Sequence, residues 1–394
     1  MKPREIAKNI YSVGFIDWDR RLFDSLIPLP DGTSYNSYLI VGSEKTALID
    51  TVDRLVPEAL LKNLDALNVS KIDYVIANHA EPDHSGAIAP VLAKYPMALV
   101  VCTERCKAML IDLFGIDAGK FKVVAEKENI SLGDRTLEFV MTPWVHWPET
   151  MCTYIKEDKI LFSCDFFGSH IATTDLYVTD EARVYEAAKR YYAEIMMPFR
   201  LNIQTNLQKI SAYDIKVIAP SHGPMYPQPA FIVEAYKEWV NGLPKNSVVI
   251  PYISMHGSTH RMVEYLVSAL ALRGVAVQQF DLAVTDVGKL AMSLVDAGTI
   301  VIGTPTVLTQ PHPAVIYATV LANAIRPKAK FASVIGSFGW GGKAVETIAG
   351  LIPNLKVEII PPVYIKGQPK EADFQSLEKL ADTIAQKHKE AGLV

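Results

Sequence analysis

Four side chains that could bind a metal fall within six residues, directly after the predicted strand Tyr74–Asn78. They are His79, Glu81, Asp83 and His84. Pro82 disfavours a continuous helix at this point, so we expect a tight loop that turns the four side chains toward one cavity. The apolar stretch Ala87–Leu92 would anchor that loop. One loop could therefore supply nitrogen and carboxylate ligands to two metal ions.

Three further candidate ligands follow later predicted strands. They are His146 after Leu137–Thr142, Asp165 after Lys159–Ser163, and His222 after Lys216–Pro220. Strands of one sheet can end at the same edge, so these distant residues can converge with the first four. A lone histidine in a loop is more often solvated than bound to a metal. Here the compact cluster of candidate ligands favours metal binding instead. Seven ligands suffice for two ions if one carboxylate bridges both, and we predict that Asp165 is the bridge.

Other assignments of these residues are weaker. The Glu81-x-x-His84 spacing occurs in helix-bundle di-iron sites, but those require paired copies on bundle helices, which this chain lacks. The four cysteines include no Cys-x-x-Cys pair, which excludes a zinc ribbon or a rubredoxin-type centre unless chains share ligands. We expect Cys102 and Cys106 to be buried and reduced rather than joined as a disulfide.

A second group of residues could bind a phosphate. The predicted strand Val248–Ile253 runs into a turn rich in hydroxyl groups and then into a helix. Hydroxyls and free backbone amides at a helix N-terminus can surround a phosphate without a lysine. Neither a P-loop nor a Gly-x-Gly-x-x-Gly motif is present here. The turn consists of Ser254, Met255, His256, Gly257, Ser258 and Thr259.

The turn alone fits an ordinary β/α connection equally well. Two later strand ends strengthen the phosphate interpretation, because their loops would flank a bound ring and their glycines let backbone amides approach it. The residues assigned to ring binding are Pro305, Thr306, Val307 and Leu308 in one loop, and Ser337, Phe338, Gly339, Trp340 and Gly341 in the other. Together the three loops resemble flavodoxin, which implies FMN as the cofactor.

The two halves of the chain differ in their pattern of predicted strands and helices. Residues 1–245 combine short strands with helices and long loops, whereas residues 246–394 alternate apolar strands with helices in about five β/α units. Continuous apolar strands are typical of a parallel sheet covered on both faces. The Gly- and Pro-containing segment Asn241–Ser247 marks the boundary. We therefore predict an α/β protein with two domains, 1–245 and 246–394.

Composition excludes several classes of protein. A net charge of −4 and 49% apolar residues indicate a folded globular chain that does not bind nucleic acid. The N-terminus has no secretory signal, and no stretch is long and apolar enough for a membrane span, so we expect a cytoplasmic protein.

The ligand pattern His79-x-Glu81-x-Asp83-His84, followed by His146, Asp165 and His222, resembles the metallo-β-lactamase-like domain of the flavodiiron proteins. Hydrolases of that fold usually carry histidine where this chain has Glu81, and a carboxylate there favours iron over zinc. The run Leu22–Asn36 also resembles this family, and the likeness covers nearly the whole chain. It implies an N-terminal metallo-β-lactamase-like αββα sandwich followed by a C-terminal flavodoxin-like doubly wound parallel sheet.

The resemblance assigns the ligands to two iron positions. His79, Glu81, His146 and Asp165 would hold the iron nearer the flavin, while Asp83, His84, Asp165 and His222 would hold the other. It implies an oxidoreductase with FMN and two iron ions per subunit, which reduces O₂ to water, NO to N₂O, or both. No catalytic residue is assigned beyond the metal ligands.

Partners also follow from the resemblance. Electrons would come from an external carrier, a rubredoxin or a deazaflavin, and a head-to-tail homodimer, or a dimer of dimers, would bring the FMN of one subunit to the irons of the other. Two alternatives stay open: a zinc hydrolase of the same fold fused to a flavodoxin-like module, and a non-enzymatic FMN redox carrier with structural metals.

Five aromatic or imidazole side chains are candidates for lining the substrate pocket, although simple packing explains each one equally well. They are Trp144, Trp147, His170, Tyr191 and Tyr192. His260, His312 and His388 are expected at the surface or at helix ends. The sequence does not decide between O₂ and NO.

Overall fold

The computed structural model describes residues 2–394, and the chain divides into two compact units. One unit contains the residues up to Tyr192 together with Phe199–Val240, and the other contains Ala193–Pro198 together with Asn241–Val394. No helix within residues 2–394 combines the length and the apolar character that a membrane crossing requires.

The N-terminal unit is built on two sheets. The first has the strand order β1-β2-β7-β8-β9-β10-β11, and the second has the order β12-β13-β14-β15-β16. The strands are β1 (Arg4–Ala7), β2 (Ile10–Ser12), β3 (Phe15–Asp17), β4 (Leu22–Phe23), β5 (Ile27–Pro28), β6 (Thr33–Tyr35), β7 (Tyr38–Val41), β8 (Thr46–Ile49), β9 (Tyr74–Ile76), β10 (Leu99–Cys102), β11 (Phe121–Val123), β12 (Asn129–Ser131), β13 (Thr136–Met141), β14 (Met151–Ile155), β15 (Ile160–Cys164) and β16 (Val217–Pro220). Its helices are α1 (Pro57–Ala66), α2 (Pro82–Ser85), α3 (Ile88–Lys94), α4 (Glu104–Phe114), α5 (Glu181–Tyr191), α6 (Arg200–Ile210) and α7 (Pro229–Asn241).

Alternation along the strands of the first sheet produces two cores. Leu48 and Val75 face a cluster that includes Leu60 of α1 and Leu110 of α4. Their neighbours in sequence, such as Ile49, face the second sheet, where Phe139 and Phe162 complete the core between the sheets. Because successive side chains of a strand point to opposite faces, one short strand contributes to both cores.

The C-terminal unit is a doubly wound parallel sheet. Its central order is β18-β17-β19-β21-β22, and β23 runs parallel to β21. The strands are β17 (Ser247–Tyr252), β18 (Ala276–Asp281), β19 (Thr299–Val307), β20 (Gln310–Pro311), β21 (Phe331–Phe338), β22 (Glu358–Ile359) and β23 (Val363–Lys366). The helices are α8 (Ser258–Leu272), α9 (Val287–Leu294), α10 (Pro313–Ile325), α11 (Ala344–Gly350) and α12 (Glu371–Glu390).

Helices α8 and α12 cover one face of this sheet. Leu266 and Leu380 pack there with Ile250, Val301 and Ile335 of the three central strands. The chain order of the strands reverses between β17 and β19, and ligands of doubly wound folds bind beyond the carboxyl ends of strands at such a point. The predicted fold class is confirmed in both units.

The structure differs from the sequence-based elements at a few ends. The apolar run Thr299–Ile302 predicts a strand that ends at Ile302, but β19 continues to Val307 because its last residues pair with β20 in a short antiparallel hairpin. The apolar run Val357–Pro361 predicts a longer strand than β22, which is only Glu358–Ile359. All four cysteines are buried and free, as expected for Cys102 and Cys106.

Candidate functional site

The segment after β9 contains a one-turn helix within the expected tight loop. Helix α2 begins at Pro82 and contains Asp83 and His84, while Glu81 occupies its N-cap position. No continuous helix carries all four ligands, as expected, and the short turn begins at Pro82 because proline is tolerated at the first position of a helix, where its missing N–H has no intrahelical partner. The turn directs Asp83 and His84 into the cluster described below.

Four ligand atoms form a first group, hereafter the His79 group. His79 Nε2 lies 3.1 Å from Glu81 Oε2 and 3.2 Å from His146 Nε2. His146 Nε2 lies 3.0 Å from Glu81 Oε2 and 3.0 Å from Asp165 Oδ2. The same Asp165 oxygen is 3.4 Å from His79 Nε2. Side chains from three separate segments therefore meet at one point.

A second group, hereafter the His222 group, gathers around the other oxygen of Asp165. Asp165 Oδ1 lies 3.0 Å from His84 Nε2 and 3.3 Å from His222 Nε2. Asp83 completes the group, with Oδ1 at 3.3 Å from His84 Nε2 and Oδ2 at 3.2 Å from His222 Nε2. The structure thus brings together all seven residues that the sequence analysis nominated, with Asp165 shared between the groups.

The cluster fits metal ions better than it fits a hydrogen-bonded core. Both oxygens of Asp83, both ring nitrogens of His84 and Oδ1 of Asp165 are buried without a hydrogen-bond partner among the described residues. Unpaired buried polar atoms are costly unless a ligand satisfies them. Ligand atoms held roughly 2.0–2.2 Å from one ion lie about 3.0–3.5 Å from one another, which is the spacing found here.

Electrostatics in the metal-free chain lead to the same conclusion. Burial lowers the pKa of His146, but hydrogen bonds with Asp165 and Glu81 outweigh it and raise that pKa to about 9. The pKa of His222 rises to about 10 because Asp165 and Asp83 likewise outweigh its burial. Burial raises the pKa of Asp165, yet the surrounding histidines hold it well below its usual value. The carboxylates therefore attract positive charge, which protons or metal cations can supply.

Segments remote from the cluster fix His222. Its Nδ1–H donates to the backbone carbonyl of Ser34 at 2.7 Å. The side-chain amide of Asn36 donates to the carbonyls of Pro220 and Gly223, each at 2.8 Å, and so clamps the loop from both sides. Ser34 and Asn36 lie at the end of the run Leu22–Asn36, so the end of this run positions the ligand His222.

Three residues near the cluster were not found from the sequence. Glu149 accepts a 2.6 Å hydrogen bond from His79 Nδ1, and Asp50 accepts bonds from the backbone and side-chain amides of Asn78 at 2.8 and 3.0 Å. Cys164, next to the shared carboxylate, has its sulfur within 4.8 Å of ligand atoms of His84 and Asp165. Each is an isolated residue, so no spacing pattern in the sequence marks it.

The backbone around the site is strained. His146, Cys164 and Asp50 have φ values of 48°, 51° and 51°, in the left-handed region that side chains other than glycine rarely adopt. Such conformations persist where the surrounding contacts over-determine them, and they concentrate at functional sites.

The candidate pocket residues separate into two sets. Trp147 packs edge-on against His79 at 5.0 Å, and His170 lies 4.7 Å from the His222 ring and 4.8 Å from Tyr191. Tyr192 instead packs among Tyr236 and Trp239 in the core, and Trp144 stacks on Phe199. Burial lowers the pKa of His170 well below its usual value, so this imidazole is neutral beside the cluster.

The residues nominated for phosphate binding lie at the β17–α8 junction. Gly257 caps α8 with a φ of 86°, in the left-handed region that favours glycine, and a Cβ added there would meet nothing within 4 Å. The hydroxyl oxygens of Ser254 and Thr259 are buried and have no partner in residues 2–394. Two orphaned hydroxyls beside an open helix N-terminus fit a bound phosphate.

The residues assigned to ring binding lie at the carboxyl ends of β19, which neighbours β17, and of β21, which neighbours β19. The expectation that all of them lie in loops was wrong, because Pro305–Val307 still belong to β19 and Ser337 and Phe338 still belong to β21. Tyr364, which was not predicted from the sequence, contacts residues of both strand ends. Its hydroxyl lies 2.7 Å from the hydroxyl of Thr306, and its ring stacks on the ring of Phe338 with the centroids 5.9 Å apart. Leu308 and Trp340 are 86% and 78% exposed, so both apolar side chains are available to a ligand or a partner.

Comparison with known proteins places the chain among relatives of known activity. Residues 33–223 match the family described as ODP family beta lactamase. The chain is 35% identical to the nitric oxide reductase of Moorella thermoacetica over 98% of both chains. The rubredoxin oxygen:oxidoreductase of the anaerobe Desulfovibrio gigas has a TM-score of 0.94 at 29% identity, over 98% of this chain and 99% of that one.

The flavodiiron protein of Giardia intestinalis superposes with a TM-score of 0.90 at 30% identity, over 98% of each chain. The sequence relatives and the solved structures match this chain over both of the units described here. The solved structures have the same fold class as this chain. This chain therefore belongs to the flavodiiron protein family and is an oxidoreductase.

Proposed function

We propose that this protein reduces O₂ to water, NO to N₂O, or both, at a non-haem di-iron centre that receives electrons through FMN. The observation that carries the proposal is the shared carboxylate of Asp165, whose two oxygens face two separate groups of ligand atoms. The names of the relatives, a nitric oxide reductase and a rubredoxin oxygen:oxidoreductase, support the same two substrates.

The seven side chains would hold the two ions as follows. His79, Glu81, His146 and Asp165 would ligate one iron, and Asp83, His84, Asp165 and His222 would ligate the other. Three carboxylates among seven ligands form an oxygen-rich set, which suits iron that becomes Fe(III) better than it suits zinc. Bound iron would supply a redox-active pair that binds diatomic gases, and bound FMN would supply electrons singly or in pairs.

Residues of this chain surround the proposed cofactor sites and supply groups that would bind them. The partly buried Trp147 packs against His79, and the buried Tyr191 lies 5.8 Å from the His222 ring, so both place aromatic surface beside the cluster. In the second domain, the hydroxyls of Ser254 and Thr259 and the amides at the start of α8 would hold the FMN phosphate. We assign residues 1–245 to the di-iron domain and residues 246–394 to the FMN domain.

We also propose a head-to-tail homodimer, or a dimer of dimers, in which the FMN of one subunit serves the irons of the other. The exposed apolar side chains of Met255, Leu308 and Trp340 at the FMN loops support an interface there. Analytical ultracentrifugation of the active protein tests this arrangement, and an active monomer would overturn it. A rubredoxin or a deazaflavin-type carrier is proposed as the electron donor, and the name of the D. gigas relative supports the first.

One experiment tests the proposed function directly. The protein is purified anaerobically, its iron, zinc and flavin are quantified, and the FMN-reduced form is mixed with O₂ or NO in a stopped-flow instrument. We expect about two iron ions per chain and fast flavin reoxidation by at least one gas. Two zinc ions with no gas consumption would favour the hydrolase alternative. Unchanged gas reduction in a His79→Asn variant would favour the redox carrier.

A further inference from the structure

His79 is held by a carboxylate on the side that faces away from the cluster. Its Nδ1 lies 2.6 Å from Glu149 Oε1, and both side chains are fully buried. Its Nε2 faces Glu81 and His146 in the cluster. Because Nε2 must be free to ligate, Nδ1 carries the proton and donates it to Glu149. This contact fixes both the tautomer and the orientation of the ring.

Glu149 also holds the backbone that carries His79. The same oxygen, Oε1, accepts the backbone N–H of Ala80 at 3.0 Å. Its own backbone carbonyl accepts the hydroxyl of Thr103 at 3.1 Å, which ties the residue to the start of α4. The second oxygen, Oε2, is buried without a partner among the described residues. Little else neutralises this carboxylate, so its attraction for the N–H of His79 is strong.

The other group has no equivalent carboxylate. His222 directs its Nδ1–H to the neutral backbone carbonyl of Ser34. His84 Nδ1 is buried with no hydrogen-bond partner within residues 2–394. The His79 group is thus supported by a charged acceptor and the His222 group by a neutral one. The two metal positions therefore differ in the charge of the groups that support their histidine ligands, although each position has four ligands.

We infer that Glu149 is a positioning residue that makes His79 the strongest nitrogen donor of the cluster and gives the ion in the His79 group the lower reduction potential of the two. The inference rests on the proposed di-iron function. A carboxylate that accepts the distal N–H of a ligating imidazole increases the basicity of that ligand. A more basic ligand stabilises the more highly charged ferric ion, so the two positions should differ in both metal affinity and potential.

The test compares Glu149→Gln, which keeps the length and an oxygen acceptor but removes the charge, with Thr103→Ala. The second variant loses the hydroxyl that holds the Glu149 backbone but keeps the carboxylate, so it controls for a loosened loop. Fe(II) and Zn(II) affinities are measured by chelator competition on the full chain. We expect Glu149→Gln to bind one of the two ions about 10–100-fold more weakly, with the other unchanged.

Two further measurements separate positioning from general stability. In the metal-free protein, the strongly deshielded N–H proton of His79 should move upfield in the NMR spectrum of Glu149→Gln and stay in place in Thr103→Ala. In the iron-loaded protein, a redox titration followed by EPR should show a more positive potential for one iron step only. If Glu149→Gln does not fold, Glu149→Asp takes its place, with the His79 proton resonance as the readout.

Unchanged affinities and potentials in Glu149→Gln would overturn the inference, as would an equal weakening of both ions. The failure of this inference and the failure of the proposed function give different results. If the wild-type protein reduces neither gas while one Zn(II) affinity still falls in Glu149→Gln, the proposed function is wrong and the positioning of His79 by Glu149 stands.

Discussion

Asp165 lies 3.0 Å from His84 through Oδ1, while its other oxygen points into the His79 group. A carboxylate has two oxygens that can each face a different cation, and an amide does not. The geometry of this one side chain therefore decides whether the cluster holds two ions as a pair or as separate sites.

Asp165→Asn should remove more metal than the loss of a terminal ligand. Because the bridge serves both positions, we expect the variant to retain well under one of about two iron ions, whereas His222→Ala retains about one. Metal analysis after anaerobic purification measures the difference. Asp214→Asn, which alters only an exposed ion pair with Lys159, is the control. Full iron content in Asp165→Asn would contradict a bridging role.

The metal-free protein should lose stability in alkaline solution. The pKa values of His146 and His222 are raised to about 9 and about 10 in the folded chain, above the unfolded value of about 6.5. A raised pKa contributes stability that is complete below pH about 6.5 and is lost as the pH rises through the folded values. Melting temperatures of the metal-free chain should therefore fall between pH 7 and pH 10.

The histidines can be separated from other groups that titrate in the same range. A His222→Gln variant should show a smaller decrease across this pH range, and the metal-loaded protein should show little, because bound cations replace the protons. A melting temperature of the metal-free wild type that rises with pH would be evidence against this account.

Thr259→Val should have opposite effects on FMN affinity and on the stability of the FMN-free protein. The hydroxyl is buried and unpaired, so its replacement by an isosteric methyl group removes an unsatisfied polar atom and should raise the unfolding free energy. It also removes a hydrogen bond to the phosphate, which corresponds to a loss of about 10–100-fold in FMN affinity.

Flavin fluorescence titration and denaturant unfolding measure the two quantities. Thr259→Ser should keep most of the affinity, and Ser268→Ala, farther along α8 where the hydroxyl bonds only to the Glu264 carbonyl, is the matched control. FMN affinity that is unaffected by Thr259→Val would mean that this hydroxyl does not contact the phosphate.

His388 should make the C-terminal unit sensitive to acid. It lies in the last turn of α12, in agreement with the expectation of a surface or helix-end position, and its ring is fully buried. Nδ1 lies 2.8 Å from Asn246 Oδ1 and Nε2 lies 2.7 Å from Thr299 Oγ1. Burial lowers its pKa. The unfolded chain therefore binds a proton that the folded chain excludes, and stability falls as the pH drops below about 6.5.

Denaturant unfolding at pH 7.5 and pH 5, followed by a probe in the C-terminal unit, measures this loss. His388→Gln keeps a polar side chain of similar reach without titrating, so its stability should change less over the same range. Identical pH dependence in the two proteins would assign the acid sensitivity to other groups.

The ligand types, the order of the two domains and the positions of most strands could be predicted without the structure. These features are local: His79 to His84 lie within six residues, and apolar runs such as Val248–Ile253 carry their own pattern. Hydrophobic periodicity and short motif spacing can be recognised in the sequence because they involve residues that are close together in the chain. The glycine and hydroxyl turn before α8 could be predicted for the same reason.

The division of the ligands into two groups, and the residues that support them, depend on long-range contacts in the folded chain. Glu149, Asp50 and Tyr364 reach their partners from segments tens of residues away, and strand pairing places them there. Likewise, the backbone of His146 is held in a left-handed conformation that no local preference produces. Contacts across such distances depend on strand register and on packing between sheets, and a change of one residue in register would point these side chains to the opposite face.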